Sequence, residues 1–272
     1  MVAFFYTPEH PPVVRGVLDM RDWDFDTPRS IPLDGEWEFY PDALLTHEDF
    51  KEANPEPRYA SVPGDWSGAL SDVSGGSGGL GGSYGYGTYR LRILIDSPDR
   101  PLGFWFPRIQ SSSAVEINGK REALFGRPAE DADAYVPEVS SYTAAYIPDG
   151  AEEIELLIRA ANYDHPYDGG IVRSVRFGSQ AAIDTERWYS IGFQLATFFI
   201  LMLHGLYAFI LYLFKPRERT FLVFFLLLLA AGTTIVSDHD FVLQLWLPFD
   251  FAWMVKIRLL SYMWLSFFVL RM

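Results

Sequence analysis

Cysteine is absent from the 272 residues of this chain. That excludes disulfides, thiolate nucleophiles and cysteine-based zinc sites, and it leaves the redox compartment open. There is no Asn-x-Ser/Thr acceptor either, because Pro55 follows Asn54 and neither Asn118 nor Asn162 has a hydroxyl residue two positions on. Basic residues are scarce, 22 Lys and Arg against 35 Asp and Glu. The deficit lies in residues 1–187, where 31 acidic side chains meet 16 basic ones for a formal charge of −15. Nucleic acid requires a basic face, so that class of partner is excluded. An anionic membrane surface would also repel this stretch, which suits a domain held clear of lipid.

Charge is missing altogether from Trp188–Phe214, 27 consecutive positions without Asp, Glu, Lys or Arg. As a helix this run is about 40 Å long, against about 30 Å for the hydrocarbon core of a bilayer. A soluble core helix has no need of so much uncharged surface. The chain therefore reads as a water-soluble half, 1–187, followed by an α-helical transmembrane region. A second uncharged run, 220–237, is just long enough to span, and a third segment, 251–270, becomes continuously apolar from Leu259. Lys215-Pro216-Arg217-Glu218-Arg219 separates the first two runs, whereas 238–250 holds three Asp and no Lys or Arg. The positive-inside rule places the first loop in the cytoplasm and the second outside, which makes residues 1–187 extracytoplasmic. Lys256 and Arg258 fall near the outer boundary of the third span, where they snorkel to the interface or, on a sharper reading, report the state of the outer domain. His204, inside the first run, is a polar group within the membrane; beside Gly205 it reads as helix packing or as a functional imidazole. Met1–His10 lacks the basic and apolar regions of a signal peptide, and Met272 follows the third span directly. The expectation is a fragment of a longer receptor.

Period-two alternation dominates residues 1–187. Tyr89, Leu91, Ile93 and Ile95 alternate with Arg90, Arg92 and Leu94, and Ile154, Leu156, Ile158 and Ala160 alternate with Glu153, Glu155, Leu157 and Arg159. Trp37 and Phe39 point away from Glu36, Glu38 and Tyr40. Shorter strands are expected at Phe104–Phe106, Ala114–Ile117, Thr143–Ile147 and Val172–Phe177, with one short helix within Pro41–Lys51. Asn118-Gly119 supplies the two positive-φ residues of a type I′ hairpin turn. Many short one-sided strands joined by Gly/Pro turns indicate an all-β jelly-roll sandwich. Ser74–Ser83 is a flexible Gly/Ser loop by composition; without a following Gly-Lys-Ser/Thr it is no phosphate loop.

The motif order carries a resemblance. Pro32-Leu33-Asp34-Gly35-Glu36-Trp37-Glu38-Phe39-Tyr40, Val62-Pro63-Gly64-Asp65-Trp66, Gly87-Thr88-Tyr89-Arg90, the Val115–Lys120 hairpin and Asn162…Gly169-Gly170-Ile171 resemble the galactose-binding-like, sugar-binding jelly roll that opens family 2 glycoside hydrolases. The catalytic carboxylates of those enzymes sit in a separate barrel that this chain lacks. Gly205-Leu206-Tyr207 through Leu213-Phe214-Lys215-Pro216-Arg217-Glu218-Arg219-Thr220 resembles bacterial seven-transmembrane receptors with diverse intracellular signalling modules. That resemblance implies an extracytoplasmic β-domain, seven helices and a cytoplasmic output. The chain departs from it in stopping after three helices and in the insertion at Ser74–Ser83.

Sugar sites combine an aromatic face with planar polar side chains. Trp66, Arg108, Asn162, His165 and Tyr167 are the candidates, near strand ends or in loops. Trp66 also fits a core aromatic, and Asn162 also fits a turn cap. As surface ligands, Asn162 and His165 would be replaceable by Ala with little loss of stability. Asp22, Asp24 and Asp26 alternate, as do Asp238 and Asp240, but no glycine turn or distal Glu completes a calcium loop, so no metal is expected. No Ser/His/Asp signature appears; neither enzyme activity nor a cofactor is expected of this chain. The expected partners are the lipid bilayer, an extracellular carbohydrate or related small molecule, and a second copy in a dimer. The chain is read as part of a cell-membrane, multi-pass receptor. Two alternatives stay open, a membrane-tethered carbohydrate-binding relative of glycoside hydrolases and a protein-partner-binding module.

Overall fold

A computed structural model describes residues 9–53, 55–70, 83–96, 98–238, 240, 242–247 and 251–271. The Gly/Ser stretch expected to be a flexible loop lies outside them, apart from Ser83. The chain divides into two units, residues 1–186 and 187–272.

The first unit is mostly β. Its strands are β1 (Val17–Asp19), β2 (Ser30–Pro32), β3 (Gly35–Pro41), β4 (Arg58–Val62), β5 (Gly85–Leu94), β6 (Leu102–Phe106), β7 (Ser112–Ile117), β8 (Lys120–Phe125), β9 (Tyr142–Tyr146), β10 (Glu153–Asn162) and β11 (Arg176–Ser179). Two short helices, α1 (His47–Glu52) and α2 (Ser67–Leu70), interrupt them. One sheet has the order β4-β3-β5-β10-β7-β8, with β1 added in parallel to β5, and the other has the order β2-β11-β6-β9. The sheets share one core. Trp37, Phe39, Tyr89, Leu91, Ile93, Leu156 and Ile158 of the larger sheet and Ile31, Phe104, Phe106 and Phe177 of the smaller belong to it.

The alternating residues of β3, β5 and β10 turn inward as their spacing predicts. Asn118 and Gly119 close the β7–β8 hairpin at φ 48° and 78°, the conformation for which Asn-Gly is chosen. The strand expected over 172–177 forms later, as β11, because Val175 and Ile171 give their carbonyls to Leu33 and Gly64 in the preceding turn. The helix expected within 41–51 begins only at His47, after Pro41 has completed β3. Thr46 starts it, donating from both N and Oγ1 to Asp49 Oδ2 at 2.7 Å.

The second face of the large sheet is not bare either. Arg90 Nε donates to Glu155 Oε1 at 2.7 Å, and its guanidinium lies 4.4 Å from the Phe50 ring centroid. His47 contacts Glu155, and Arg159 pairs with Glu116. Helix α1 thus covers a set of paired charges, and Leu157, on that same face, is buried. Such pairs are satisfied as neighbours, and removing one member alone leaves a buried charge uncompensated.

Helix α3 (Gln180–Phe214) begins directly after β11, earlier than the uncharged run. Its first turns belong to the β unit. Gln180 N donates to Pro101 O at 3.1 Å, and Ala182 and Ile183 are buried. Arg176 donates to Glu186 through Nε at 3.1 Å and Nη2 at 3.0 Å, and Ser30 Oγ donates to the same carboxylate at 2.5 Å. Charged residues in these turns hid them from a search for apolar runs.

The second unit holds the rest of α3 together with α4 (Arg219–Asp238), α5 (Val242–Trp246) and α6 (Phe251–Arg271). Among the described residues, three helices are long and apolar enough to cross a membrane. Ile191, Val236 and Val242 pack together beside Leu195, Phe198 and Leu243. Asp240 is buried and accepts from Ser190 Oγ and Gln194 Nε2. Lys256 Nζ lies 5.0 Å from the Trp253 ring centroid. Gly205 is buried against Phe225 and Leu228 of α4, where a Cβ would come within 3.4 Å of the Phe225 ring. His204, its neighbour, is exposed, and among the described residues it bonds within its own helix, to Ile200 O.

Candidate functional site

Strands β5 and β10 run antiparallel with Gly85 opposite Asn162, so the start of one and the end of the other meet at one edge of the sandwich. The loops that follow or precede them converge there. Gln110 and Gly170 exchange two backbone hydrogen bonds, at 2.8 and 3.1 Å, and Ser111 O accepts from Glu138 N at 2.9 Å. Arg127 and Val136 exchange another pair at 2.9 and 3.1 Å. Gly169 N donates to Asp65 Oδ1 at 3.0 Å, which ties in the segment before α2.

Asn162 is the centre of this edge. Its side chain is fully buried, with Nδ2 directed at the carbonyls of Ser83 (2.7 Å), His165 (2.7 Å) and Asp168 (3.0 Å). Its Oδ1 accepts from Ser111 Oγ at 2.9 Å and from the amides of His165 and Asp164 at 3.0 and 3.3 Å. Every polar valence of the amide is used inside the protein. Trp66 is also buried, 1% exposed. Its Nε1 donates to Ser83 O at 2.8 Å, and its ring stacks on Tyr89 at 6.1 Å and 7°. A Cβ on Gly169 would lie 2.1 Å from Trp66 Nε1, so only glycine lets the loop close over the indole. Asn162 and Trp66 therefore form the inner frame of these loops. Neither offers a ligand a free face here, which corrects the expectation of direct contact and of harmless replacement at Asn162.

The other three candidates reach the surface. Arg108 is half-buried and donates from Nε to Gln110 Oε1 at 3.1 Å. His165 accepts from Asp168 N at its Nδ1, 3.0 Å away, so in the neutral ring Nε2 carries the proton and is a donor. Tyr167 is 81% exposed, the flat aromatic at the tip of the loop. Tyr163 belongs with them, although its sequence pattern drew no attention. Its hydroxyl donates to Glu130 O at 2.5 Å, and its ring meets Tyr135 edge-on at 5.2 Å. Burial, aided by Tyr86 and nearby acids, pushes the Tyr163 phenol up to about 12, so it remains a donor at neutral pH. Ser83, Ser111 and Asp65 are the further framing residues that the sequence did not single out. The one available signal was Asp65 preceding Trp66 and the Gly169-Gly170 pair.

A separate cleft of about 520 Å³ is lined by Glu9, His10, Pro11, Asp19, Met20, Asp22 and Trp23. It lies toward the other end of β5, since Asp19 is registered with Leu94. Asp19 there is held by Arg21, whose guanidinium lowers the carboxyl to about 2. Among the described residues no group of three or more His, Asp or Glu side chains could hold a metal ion.

No family model matches the chain, and no curated protein matches it. Solved structures do show similarity over its β part. A family 2 glycoside hydrolase from Bacteroides cellulosilyticus aligns with a TM-score of 0.43 and 19% identity, over 55% of this chain and 20% of that one. A beta-glucuronidase from Ruminococcus gnavus gives 0.40 and 13%, over 55% and 28%. A family 2 beta-galacturonidase from Eisenbergiella tayi, bound to galacturonate, gives 0.37 and 15%, over 56% and 24%. The match spans less than a third of the length of each of these enzymes.

Proposed function

We propose that this chain is the sensing part of a membrane receptor, in which an extracytoplasmic jelly roll recognises a carbohydrate and the apolar helices lead to a cytoplasmic output. The observation that carries the ligand reading is the loop edge around Asn162. The fully bonded Asn162 amide and the buried Trp66 frame the loops that bear Arg108, His165 and Tyr167, so the backbone of the site needs little ordering when a ligand arrives. An exposed aromatic ring, a guanidinium and an imidazole donor carried by the same loop edge suit the apolar face and hydroxyls of a pyranose. The motif order supports the same reading. The membrane reading rests on helix length and on interfacial side chains. Trp188 and Tyr189 stand at the start of the uncharged run of α3, and Tyr212 and Lys215 stand at its close. At helical rise Tyr189 and Tyr212 are about 35 Å apart, close to the bilayer thickness.

Binding is tested on the soluble segment 1–187, which retains Glu186 and the buried turns of α3. Titration calorimetry across a panel of neutral, acidic and amino sugars should give heat with at least one. Arg108→Ala should then weaken affinity about 10- to 150-fold by removing a charged hydrogen bond. Tyr167→Ala should weaken it about 3- to 10-fold through lost ring contact, with an unchanged melting temperature. No heat with any sugar would overturn the carbohydrate reading in favour of a protein-binding module.

Orientation has its own test. Lys215, Arg217 and Arg219 are all exposed, and the proposed topology puts them in the cytoplasm. A reporter fused after Arg219 should work only if it is cytoplasmic, and activity from a periplasm-dependent reporter at that position would refute the assignment.

A further inference from the structure

We propose that two copies of this chain pair through one face of α3, with Tyr207 of each donating to His204 of the other. The proposal rests on the membrane reading above. His204 Nδ1 lies 2.8 Å from Ile200 O, and since a carbonyl only accepts, the proton is on Nδ1. Nε2 of the neutral ring is then an acceptor, on a residue that faces out of the bundle. Tyr207, one turn further on, is 64% exposed, and its hydroxyl has no partner among the described residues. The uncharged run is centred on Leu201, so His204 is about 5 Å and Tyr207 about 9 Å from mid-span, both inside a hydrocarbon half-layer of about 15 Å. Lipid tails offer neither a donor nor an acceptor, so both groups are costly there unless another helix meets them.

A second copy meets both at once. Copies inserted by the same topology run parallel, so a two-fold axis along the membrane normal brings the same heights of α3 together. His204 of one copy and Tyr207 of the other are then offset by about 4.5 Å along the helices, within reach of a tyrosine side chain. The symmetry makes the bond twice. His204 cannot satisfy its own equivalent, because both Nδ1 protons are already engaged and two Nε2 acceptors would face each other. The surrounding surface fits the same partner. Phe193, Ile200, Leu203, Tyr207, Ile210 and Phe214 are all exposed, and their spacing of seven, three, four, three and four keeps one seam toward a parallel helix.

The cysteine-free chain allows a direct test in the whole 272-residue chain, reconstituted in phosphatidylcholine vesicles and washed at alkaline pH to confirm insertion. Single Ile200→Cys, Leu203→Cys and Ile210→Cys variants should form disulfide dimers under mild oxidation. Phe198→Cys and Ala208→Cys, on the face turned to α4, should cross-link at least 5-fold less. Energy transfer between differently labelled copies should report an association constant about 5- to 10-fold lower for Tyr207→Phe, which keeps the ring and removes only the hydroxyl. Absent or position-independent cross-links in protein that resists the wash would overturn the pairing and leave lipid as the cover of this face. Periodic cross-links with an unchanged Tyr207→Phe constant would overturn the hydrogen-bond pairing. Release by the wash would overturn the membrane reading and the pairing with it.

Discussion

Replacing Asn162 with alanine is expected to lower the stability of segment 1–187 by about 3–5 kcal/mol, several times the effect of an ordinary loop substitution. The truncation takes the Nδ2 donor from the carbonyls of Ser83, His165 and Asp168 and the acceptor from the Ser111 hydroxyl, and leaves Ser83 O with Trp66 Nε1 alone. Each orphaned group brings about 1–3 kcal/mol of unrecovered desolvation, and the total is reduced by whatever relaxation the loops achieve. Asn162→Asp separates the two halves of the amide. It keeps the acceptor toward Ser111 and the His165 amide but sets a carboxylate oxygen against three carbonyl oxygens, so it should be at least as damaging as alanine. Urea unfolding with an unchanged m-value measures both. A loss below 1 kcal/mol in the alanine variant would mean that the loops do not depend on this side chain. The contrast with Tyr167→Ala is the practical point: that substitution should weaken the proposed binding about 3- to 10-fold with the fold intact, whereas Asn162→Ala should lower the stability of the fold that carries the loops.

Substitution at Gly170 should be as severe. Its φ of +79° lies in the left-handed region, and a Cβ there would sit 2.2 Å from the Tyr89 hydroxyl oxygen and 3.0 Å from the Trp66 ring. Tyr89 cannot retreat, since it is 1% exposed, stacked on Trp66 and tilted against Phe39 at 4.8 Å. Gly170→Val should therefore leave segment 1–187 unfolded at room temperature, and Gly170→Ala should lower stability by about 3–4 kcal/mol, of which about 1 reflects backbone conformation. The remainder is a collision with a single oxygen, which can be removed. Tyr89→Phe is destabilising alone because it loses the bond to the Ile171 backbone. In the Gly170→Ala background it should recover part of the loss, giving a favourable coupling of about 1–2 kcal/mol in a double-mutant cycle. Additive effects would show that the loop accommodates alanine by moving away.

The sequence made the strands of the large sheet readable because their two faces differ in polarity, as Leu91 against Arg90 illustrates. It made the β7–β8 turn readable because few residue pairs other than Asn-Gly take two positive φ angles cheaply. The candidate site was half readable. Arg108, His165 and Tyr167 lie at the edge where their positions near strand ends suggested. The inward turn of Asn162 was not visible, because a planar amide at a strand end serves a ligand or a loop equally well until the neighbouring carbonyls are located. Trp66 posed the same problem, since its burial depends on Gly169, more than a hundred positions away. Glu155 and Glu116 look like solvent residues in an alternating strand. Their burial comes from a six-residue helix whose docking rests on Phe50 and His47, contacts that no local pattern encodes.

The place where α3 begins sets where this protein can be cut and grafted. A chimera joined at Gln180, where the strand ends, would take Glu186 away from Arg176 and Ser30 and uncover the sheet against which Ile183 rests. A join after Arg187 leaves all of those residues with their own partners. Exchanging β units between proteins of this architecture therefore calls for moving the first two helical turns together with the strands, because their side chains complete a surface that the strands alone leave open.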